Sequence, residues 1–553
     1  MRPSPKFLDL LRRQAGALEN HVVDEFLAGR LDRRGLLREG ARFGVAAPLL
    51  AGLLGAASPV AAPLARAEGK RNATIRVASQ TPASAVEPVT TANSGGLILL
   101  QQTGEFLVYD QADLMLKPML ALSWKSNDDG SVWTFKLRPN VKFHNGHVLN
   151  ADDVVASMDR LADPKNGSNA LSAFKGVLSK GGTRKVDDLT VEFHLDAPNG
   201  NFPYIVSTDN YNAIILPADY AGDFEKTFIG TGPFKLDRYV PKVGVTFVRN
   251  DDYWGEKALP ARLEFTFYAD QQPMILALQG GQVDVIQQIS VQGAQGVLHD
   301  PDINLIKIKS AVHRGFHLRN DSPNLSDKRV RQAIALTLDR DAIVTGLFQG
   351  LATPGNDSPF APVYPSTDKD VPQRKRDIAQ AKKLMAEAGH EKGFEATLTT
   401  ERVMEMPDYA VLIQNAVAAI GIKLNLKIET DTAYYGKSQY GQSDWLDSEM
   451  GITDYGHRGV PNVLLGAPLL STGAWNAAHF RNADYDKLVA GYIAATDLGV
   501  QRETAGKIQR LLLDETPVIY AYFYDFLTAT AKDVQGVGVN PISQLFLAGT
   551  TIG

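Results

Sequence analysis

The 553-residue chain is predicted to be an α/β protein built from more than one domain. It is too long for a single hydrophobic core, and about 150 residues per domain would give roughly three. Its 44% hydrophobic and 22% charged residues are typical of a globular protein. After residue 67, strand-like and helix-like patterns alternate along the chain, which is the arrangement expected of α/β units.

The first half of this body is rich in strand patterns. Residues Ile75–Ala78 form a short apolar strand, and Trp133, Phe135 and Leu137 alternate as in a half-buried strand. Asn150 is a predicted cap for a helix over 151–161. Two further alternating strands are predicted around residues 189–195 and 263–267.

The second half is richer in helices. Ser326 is a predicted cap for a helix over 327–338, and Asp339 is a predicted cap for the next helix, which ends near Gly350. Periodic apolar residues predict later helices at 378–388, 408–420, 485–495 and 502–514, and strands at 422–428 and 518–523.

The first 67 residues are predicted to be an export signal. Arg33 and Arg34 precede a weakly apolar stretch over 43–64, which resembles a twin-arginine signal. Ala65 and Ala67 supply the small residues that a signal peptidase accepts, so cleavage is expected before Glu68. The alternative is a transmembrane anchor, which the stretch is long enough to form but which its prolines and glycines disfavour.

Charge and cysteine content exclude several classes of protein. Residues 1–67 carry a net charge of +4 and the remainder −9, and such an acidic body argues against nucleic-acid binding. The chain has no cysteine, which excludes disulfides, thiolate metal sites and a lipid-bearing cysteine. We therefore expect a soluble periplasmic protein that is not a lipoprotein.

Several motifs occur in an order that resembles one known family. The segment 122–161 (LSWKSNDDGSVWTFKLRPNVKFHNGHVLNADDVVASMDRL) is similar to a family signature along its whole length. It is followed by GTGPF at 230–234, RNDDYW at 249–254, LQGGQVDVI at 278–286, DKRVRQAIALTLDRDAI at 327–343 and AKKLMAEAG at 381–389. In this order they resemble the family 5 solute-binding proteins of ABC importers, which include dipeptide, oligopeptide and nickel receptors.

The resemblance implies a periplasmic binding protein fold with two lobes joined by a hinge. The first lobe is expected to be split into a hinge-proximal subdomain (68–103, 229–315 and 524–553) and a small subdomain (104–228). The second lobe is expected to span residues 316–523. Closure of the two lobes would bury the ligand between them.

The resemblance also implies function and partners. The chain is expected to be a monomeric receptor without a cofactor that delivers a solute to the permease subunits of an ABC transporter. The predicted export signal adds the export machinery as a partner of the precursor. The expected solute is a di- or oligopeptide, while an opine, a sugar derivative or a nickel–metallophore complex stays open.

Candidate ligand contacts lie mainly in one loop of the predicted second lobe. In peptide-binding relatives an acidic residue of this loop pairs with the ligand's α-amino group, and Asp454 falls on that position. The tryptophan that precedes it in those relatives is absent here, and the loop is lengthened by residues 457–459. The alternative for Asp454 is a solvated loop carboxylate or a helix cap.

Other candidate contacts rest on their place in the resemblance. Arg458 could bind a ligand carboxylate through two hydrogen bonds, although an exposed loop arginine is the alternative. The remaining candidates could line the cleft or could pack internally: Tyr455, His457, Asn210, Tyr211, Trp475 and Asn476.

Metal binding and catalysis find little support in the sequence. His144 and His147 flank an Asn-Gly turn and are predicted to be structural, and a single loop histidine, His457, does not make a metal site. A nucleophile elbow, a zinc-protease helix and a phosphate-binding loop are all absent, so an enzyme is not expected. An exported hydrolase and a chaperone-like periplasmic protein remain the alternatives from other classes.

Overall fold

The computed structural model describes residues 71–553. The predicted export residues Arg33, Arg34, Ala65 and Ala67 lie outside the described residues. Within them, no helix is both long and apolar enough to span a membrane.

Lobe I is built on a mixed seven-stranded sheet. Its central strand, Thr74–Gln80, pairs in parallel with Arg262–Tyr268 on one side and Val285–Ile286 on the other. The full strand order is Ile303–Ile308, Phe526–Ala531, Val285–Ile286, Thr74–Gln80, Arg262–Tyr268, Gly244–Arg249 and Phe234–Val240. Its helices are Ser94–Thr103, Gln271–Gln279 and Val291–Ala294.

Lobe II is built on a six-stranded sheet with most of the helices. The strand order is Ala352–Pro354, Val518–Tyr524, His313–Leu318, Met450–Tyr455, Glu395–Glu401 and Lys423–Glu429. Its helices are Lys328–Thr337, Arg340–Phe348, Ile378–Glu387, Met406–Ala418, Asp431–Tyr435, Asp444–Asp447, Asn462–Gly466, Ala483–Ala494 and Leu498–Glu515. The two mixed sheets with their helices confirm the predicted α/β class.

A small subdomain extends from lobe I. Its four-stranded antiparallel sheet has the order Ala121–Ser126, Val132–Leu137, Thr190–His194 and Thr183–Asp187. Alternate residues of Val132–Leu137 are buried, as the sequence predicts. Its helical segments are Ala151–Ala162, Pro164–Asn166, Leu171–Phe174, Phe202–Ile205 and Phe224–Thr227. Two-stranded pairs complete the fold: Val108–Asp110 with Leu116–Pro118, Val534–Gln535 with Thr551–Ile552, and Gly538–Asn540 with Gln544–Phe546.

The hinge is formed where the chain passes twice between the two large sheets. Asp525 alone separates the lobe II strand Val518–Tyr524 from the lobe I strand Phe526–Ala531. The other crossing runs from Ile308 to His313, and the two crossings are tied together by the hydrogen bond from the Tyr524 N–H to the Val312 carbonyl at 3.1 Å. Lys309 forms an ion pair with the buried carboxylate of Asp525 at 2.9 Å. Within residues 71–553, the hinge therefore consists of two short crossings that are hydrogen-bonded to each other.

Away from the hinge, the small subdomain touches lobe II through a contact that we call the latch, formed by residues 199–201 against 493–501 and Asn462. The Gly200 N–H donates to the Ile493 carbonyl at 2.8 Å. Asn201 donates through Nδ2 to Asn462 Oδ1 at 2.9 Å and accepts from Gln501 at 3.0 Å. A Cβ on Gly200 would lie 1.8 Å from the Ala495 carbonyl oxygen, so only glycine permits this approach.

Helix caps agree with the sequence in most places and correct it in one. Asn150 caps the helix Ala151–Ala162, and Asp339 caps Arg340–Phe348 through the Ala342 N–H. The prediction that Ser326 caps the next helix upstream is wrong. Asp327 is the cap, because its carboxylate accepts from the Arg329 N–H at 2.8 Å, which leaves Ser326 outside the helix.

Candidate functional site

A cavity of about 410 Å³ lies between lobe I and lobe II, next to the hinge. Lobe I contributes the ends of neighbouring strands: Gln80 is the last residue of its strand, and Gln287 follows the strand Val285–Ile286. Because these two strands run parallel, their carboxyl ends meet at one edge of the sheet, where α/β proteins commonly bind ligands. Lobe II contributes Glu405, Asp454 and Tyr524 from the facing side.

The lobe II wall is organised around Arg314, whose side chain is 0% exposed. Arg314 and Asp454 are directly opposite each other on the antiparallel strands His313–Leu318 and Met450–Tyr455, so their side chains share one face. The Arg314 guanidinium forms an ion pair with Asp454 and another with Glu405, the latter from Nε to Oε1 at 2.9 Å. It also packs over the Tyr524 ring, 4.8 Å from the ring centroid, and donates to the Tyr524 hydroxyl at 3.0 Å.

One arginine therefore faces two carboxylates, which leaves this group one negative charge in excess. Glu405 is buried, but the Asp454 side chain is 39% exposed toward the cavity. Only Oδ1 of Asp454 is engaged by Arg314, and Oδ2 accepts no hydrogen bond from the described residues. Burial raises the pKa of Asp454, and Arg314 opposes that shift. The wall is thus suited to a cationic group of a ligand, which would restore neutrality.

Arg458 and His457 lie in the loop that follows Asp454, and both line the cavity. The His457 Nδ1 accepts the Ala311 N–H at 3.0 Å, and burial lowers the pKa of His457 to about 3, so the ring is neutral at physiological pH. Arg458 donates to the His457 carbonyl at 2.8 Å. No carboxylate among residues 71–553 lies within ion-pair distance of Arg458, which leaves its guanidinium able to bind an anion.

Tyr211 and Asn210 approach the same region from the small subdomain. Tyr211 lines the interlobe cavity and also a second cavity of about 270 Å³, which lies between the small subdomain and lobe II. Asn210 lines only the second cavity, and its Nδ2 donates to the Ile205 carbonyl at 2.9 Å. Arg458 and Ile542 also line both cavities, so these two spaces adjoin each other.

Two carboxylates of the small subdomain meet lobe II beside Arg458. The Gly459 N–H donates to Asp209 Oδ1 at 2.6 Å, and a Cβ on Gly459 would lie 2.9 Å from Asp110 Oδ2 and 3.1 Å from Asp209 Oδ1. Asp110 is buried, and its Oδ1 has no partner in the described part of the chain. Burial raises the pKa of both groups, and the Asp209 charge raises that of Asp110 further, while Arg458 and the Gly459 N–H act against the shift at Asp209.

Three candidate contacts lie inside lobe II instead of on the cavity walls. Tyr455 stacks on His313 with ring centroids 5.4 Å apart, and Trp475 packs against Tyr455 at 6.4 Å. Asn476 is buried, and its Nδ2 donates to the carbonyls of Leu470 and Phe480. Trp475 and Tyr455 therefore pack beside Asp454 on its strand, while Asn476 holds the segment 470–480 together. None of the three faces the interlobe cavity in this conformation.

No cluster of three or more potential metal-ligating side chains occurs within residues 71–553. His144 Nε2 hydrogen-bonds the Gly232 carbonyl at 3.0 Å, and His147 contacts the Asp153 carboxylate at 3.1 Å. Both histidines therefore have partners within the fold of lobe I and the small subdomain.

Sequence reasoning missed Arg314, Glu405, Asp110 and Asp209. The one available signal was Arg314, a charged residue within an otherwise strand-like run, HRGFHL, in which all six residues are buried. A buried arginine requires carboxylate partners, but Glu405 and Asp454 are 91 and 140 residues away along the chain. Their identity could be read only from the strand pairing.

Comparison with known proteins agrees with this fold. Residues 115–462 match the sequence model of the bacterial extracellular solute-binding proteins, family 5, middle region. The chain is 28% identical to heme-binding protein A of Haemophilus influenzae, over 73% of this chain and 78% of that protein. It is 29% identical to di/tripeptide-binding protein 1 of Pseudomonas aeruginosa, over 77% of this chain and 84% of that protein.

Among solved structures, that of HbpA2 from Haemophilus parasuis superposes with a TM-score of 0.77 at 26% identity. The match covers 87% of this chain and all of that one. The predicted periplasmic binding protein fold, with two lobes, is thereby confirmed.

Proposed function

This chain belongs to family 5 of the bacterial extracellular solute-binding proteins, and we propose that it is a receptor that delivers a small peptide to an ABC importer. One observation carries the peptide assignment. The free Asp454 carboxylate oxygen and the Arg458 guanidinium line one interlobe cavity, where they can meet the amino and carboxylate groups of a zwitterion. The relative named for di- and tripeptides supports the same class of solute.

Lobe closure is the proposed mechanism of capture. Groups that bind the solute come from lobe I, lobe II and the small subdomain, so a solute between them favours the closed arrangement over an open one. The two short crossings at Asp525 and at residues 309–312 are the natural hinge for this motion. A closed receptor would then present its surface to the permease subunits as a monomer.

Export to the periplasm belongs to the same proposal. Arg33 and Arg34 before an apolar stretch support the twin-arginine route, and Ala65 and Ala67 support cleavage of the signal. The absence of a cysteine that could carry lipid supports a free protein. Cell fractionation of the full chain, together with an Arg33→Lys/Arg34→Lys variant, tests this route.

Ligand-dependent thermal stabilisation tests the peptide assignment, because binding raises the apparent stability by mass action. We expect dipeptides and tripeptides to raise the melting temperature, and N-acetylated forms of the same peptides to fail because they lack the ammonium group. Haem, sugars and nickel chelates form the non-peptide arms of the screen. A shift given by one of those compounds and by no peptide would refute the assignment.

The Asp454→Ala variant tests the role of the carboxylate. It leaves Arg314 paired one to one with Glu405, so the fold should persist while the thermal shift by peptides is lost. Asp370→Ala is the matched control, since Asp370 is exposed in lobe II and lies outside the cavity. An undiminished shift in Asp454→Ala would remove Asp454 from the site.

A further inference from the structure

We propose that the second cavity, between the small subdomain and lobe II, is an accessory compartment that receives an apolar side chain of the bound solute. This inference rests on the proposed function, because it extends the ligand site past Tyr211 and Arg458. The proposal predicts that, among small peptides, the receptor binds most tightly those with a branched aliphatic or similarly sized apolar side chain.

The first argument is continuity. The cavity of about 270 Å³ shares Tyr211, Arg458 and Ile542 with the interlobe cavity. A ligand carboxylate at Arg458 would therefore stand at the junction of the two spaces. A side chain on the carbon next to that carboxylate could then extend into the second cavity.

The second argument is the chemistry of the walls. Apolar side chains face this space from both sides: Val177 and Ile205 from the small subdomain, and Val460, Val463 and Ile493 from lobe II. Cavities that bind small molecules are mostly apolar, with a few polar groups that fix orientation. A side chain that displaces water from these walls would be stabilised by the hydrophobic effect.

The third argument is that the asparagines of this cavity already have protein partners. Asn210 donates to the Ile205 carbonyl, and Asn212 donates to the carbonyls of Pro88 and Thr91. Asn199 Oδ1 accepts from the Asn201 N–H at 2.9 Å. These hydrogen bonds reduce the need of the amide groups for a partner on the ligand. Lys175 and Asp209 also line the cavity, and Asp209 already accepts the Gly459 N–H, so we expect apolar area to dominate the selectivity of the compartment.

The experiment compares glycylglycine with glycylleucine by calorimetry on the mature protein. Ala173→Leu fills the compartment from the small subdomain and Ala467→Leu fills it from lobe II, while Ala386→Leu, on an exposed helix face, is the control. Burial of a leucine-sized side chain corresponds to about a tenfold or larger gain in affinity. We expect glycylleucine to show that gain in the native chain and the control, and to lose it in both filled variants.

The outcomes separate this inference from the proposed function. If both peptides bind equally, or the gain survives in both filled variants, the compartment is refuted and the peptide receptor stands. If neither peptide binds, the peptide assignment fails. The compartment is then tested separately by titrating the protein with 3-methylbutan-1-ol, which has the size of a leucine side chain, and recording methyl NMR spectra. Saturable shifts of the Val463 and Ile493 methyl resonances that are lost in both filled variants would support it, and unchanged resonances would overturn it.

Discussion

The two walls that meet at residues 454–459 each hold a pair of carboxylates, but they compensate the negative charge differently. On the lobe II wall, Glu405 and Asp454 share the buried guanidinium of Arg314. On the small-subdomain wall, Asp110 and Asp209 approach Gly459 with no cation in ion-pair contact in the described part of the chain. The negative charge is compensated by an arginine on the lobe II wall. On the small-subdomain wall it is reduced because Asp110 retains its proton to higher pH.

The two walls respond to pH in different ways because, among the described residues, only the lobe II wall has an arginine in ion-pair contact with its carboxylates. Arg314 stays charged at any physiological pH, and its charge opposes the rise that burial causes in the pKa of Asp454. Two neighbouring buried carboxyls without a cation cannot both ionise cheaply, which is why burial and the Asp209 charge raise the pKa of Asp110. The lobe II wall holds a permanent cation beside its carboxylates, while the small-subdomain wall couples its contact with lobe II to protonation of Asp110.

Removing the arginine should produce the largest effect. Arg314→Met leaves Glu405 and Asp454 as unpaired charges in a buried site, which is expected to lower the free energy of unfolding by ~3–5 kcal/mol. Urea denaturation measures the loss. In the double variant Arg314→Met/Glu405→Gln, most of the stability should return, because one charge is gone.

A matched arginine on the surface provides the control for that experiment. Arg329 pairs with Asp327, but 44% of its side chain is exposed. Arg329→Met should therefore cost under ~1 kcal/mol. Equal losses for Arg314→Met and Arg329→Met would show that burial does not increase the contribution of Arg314 to stability.

The carboxyl pair should give a smaller effect of opposite sign. A folded-state pKa above the unfolded value of about 4 means that the folded state holds the proton longer, so stability falls as pH rises above ~4. Asp110→Asn removes this penalty. We expect it to raise the free energy of unfolding by ~1–2 kcal/mol at pH 8 and to have little effect at pH 4. A gain that is independent of pH would disprove the titration of Asp110.

The smallest effect is expected at the other member of the pair. Asp209 accepts the Gly459 N–H and lies near Arg458, and both favour its ionised form, so its pKa is raised less than that of Asp110. Asp209→Asn should change stability at pH 8 by under ~1 kcal/mol, since the amide oxygen can still accept the hydrogen bond. Thermal melts of the two variants across pH 4–8 would show whether Asp110, and not Asp209, retains the proton.

Most helices and strands of the fold were predictable from local sequence patterns. Alternation predicted the strand Val132–Leu137, and Asn150 and Asp339 were recognised as caps because capping depends on residues three positions away at most. The prediction of Ser326 as a cap was wrong because Asp327, the next residue, is an equally good capping residue. The sequence alone cannot decide between two such neighbours. The two-lobed arrangement came from resemblance to a family, because long-range strand pairing has no local signal.

The candidate site was predictable mainly in one loop, with Tyr211 of the small subdomain as the exception. Asp454, His457 and Arg458 are close in sequence, and all three line the interlobe cavity. Trp475 and Tyr455 were chosen as aromatic walls, yet they pack against each other within lobe II, where a large apolar ring is equally stabilised. Arg314, which organises the wall, could not be assigned because its partners are distant in sequence.

The latch at Gly200 has a consequence for the evolution of affinity. Its main contact is a hydrogen bond between two backbone groups, so it adds the same stability to this arrangement of the small subdomain and lobe II whatever solute is bound. The apparent dissociation constant of every solute is divided by the fraction of molecules able to hold it. A change at Gly200 that leaves Asn199, Asn462 and Ile493 of the second cavity in place would therefore alter the affinity for all solutes by one common factor and keep their ranking. Selection could then adjust the affinity to the concentration of solutes in the surroundings without changing the residues that determine which solute binds.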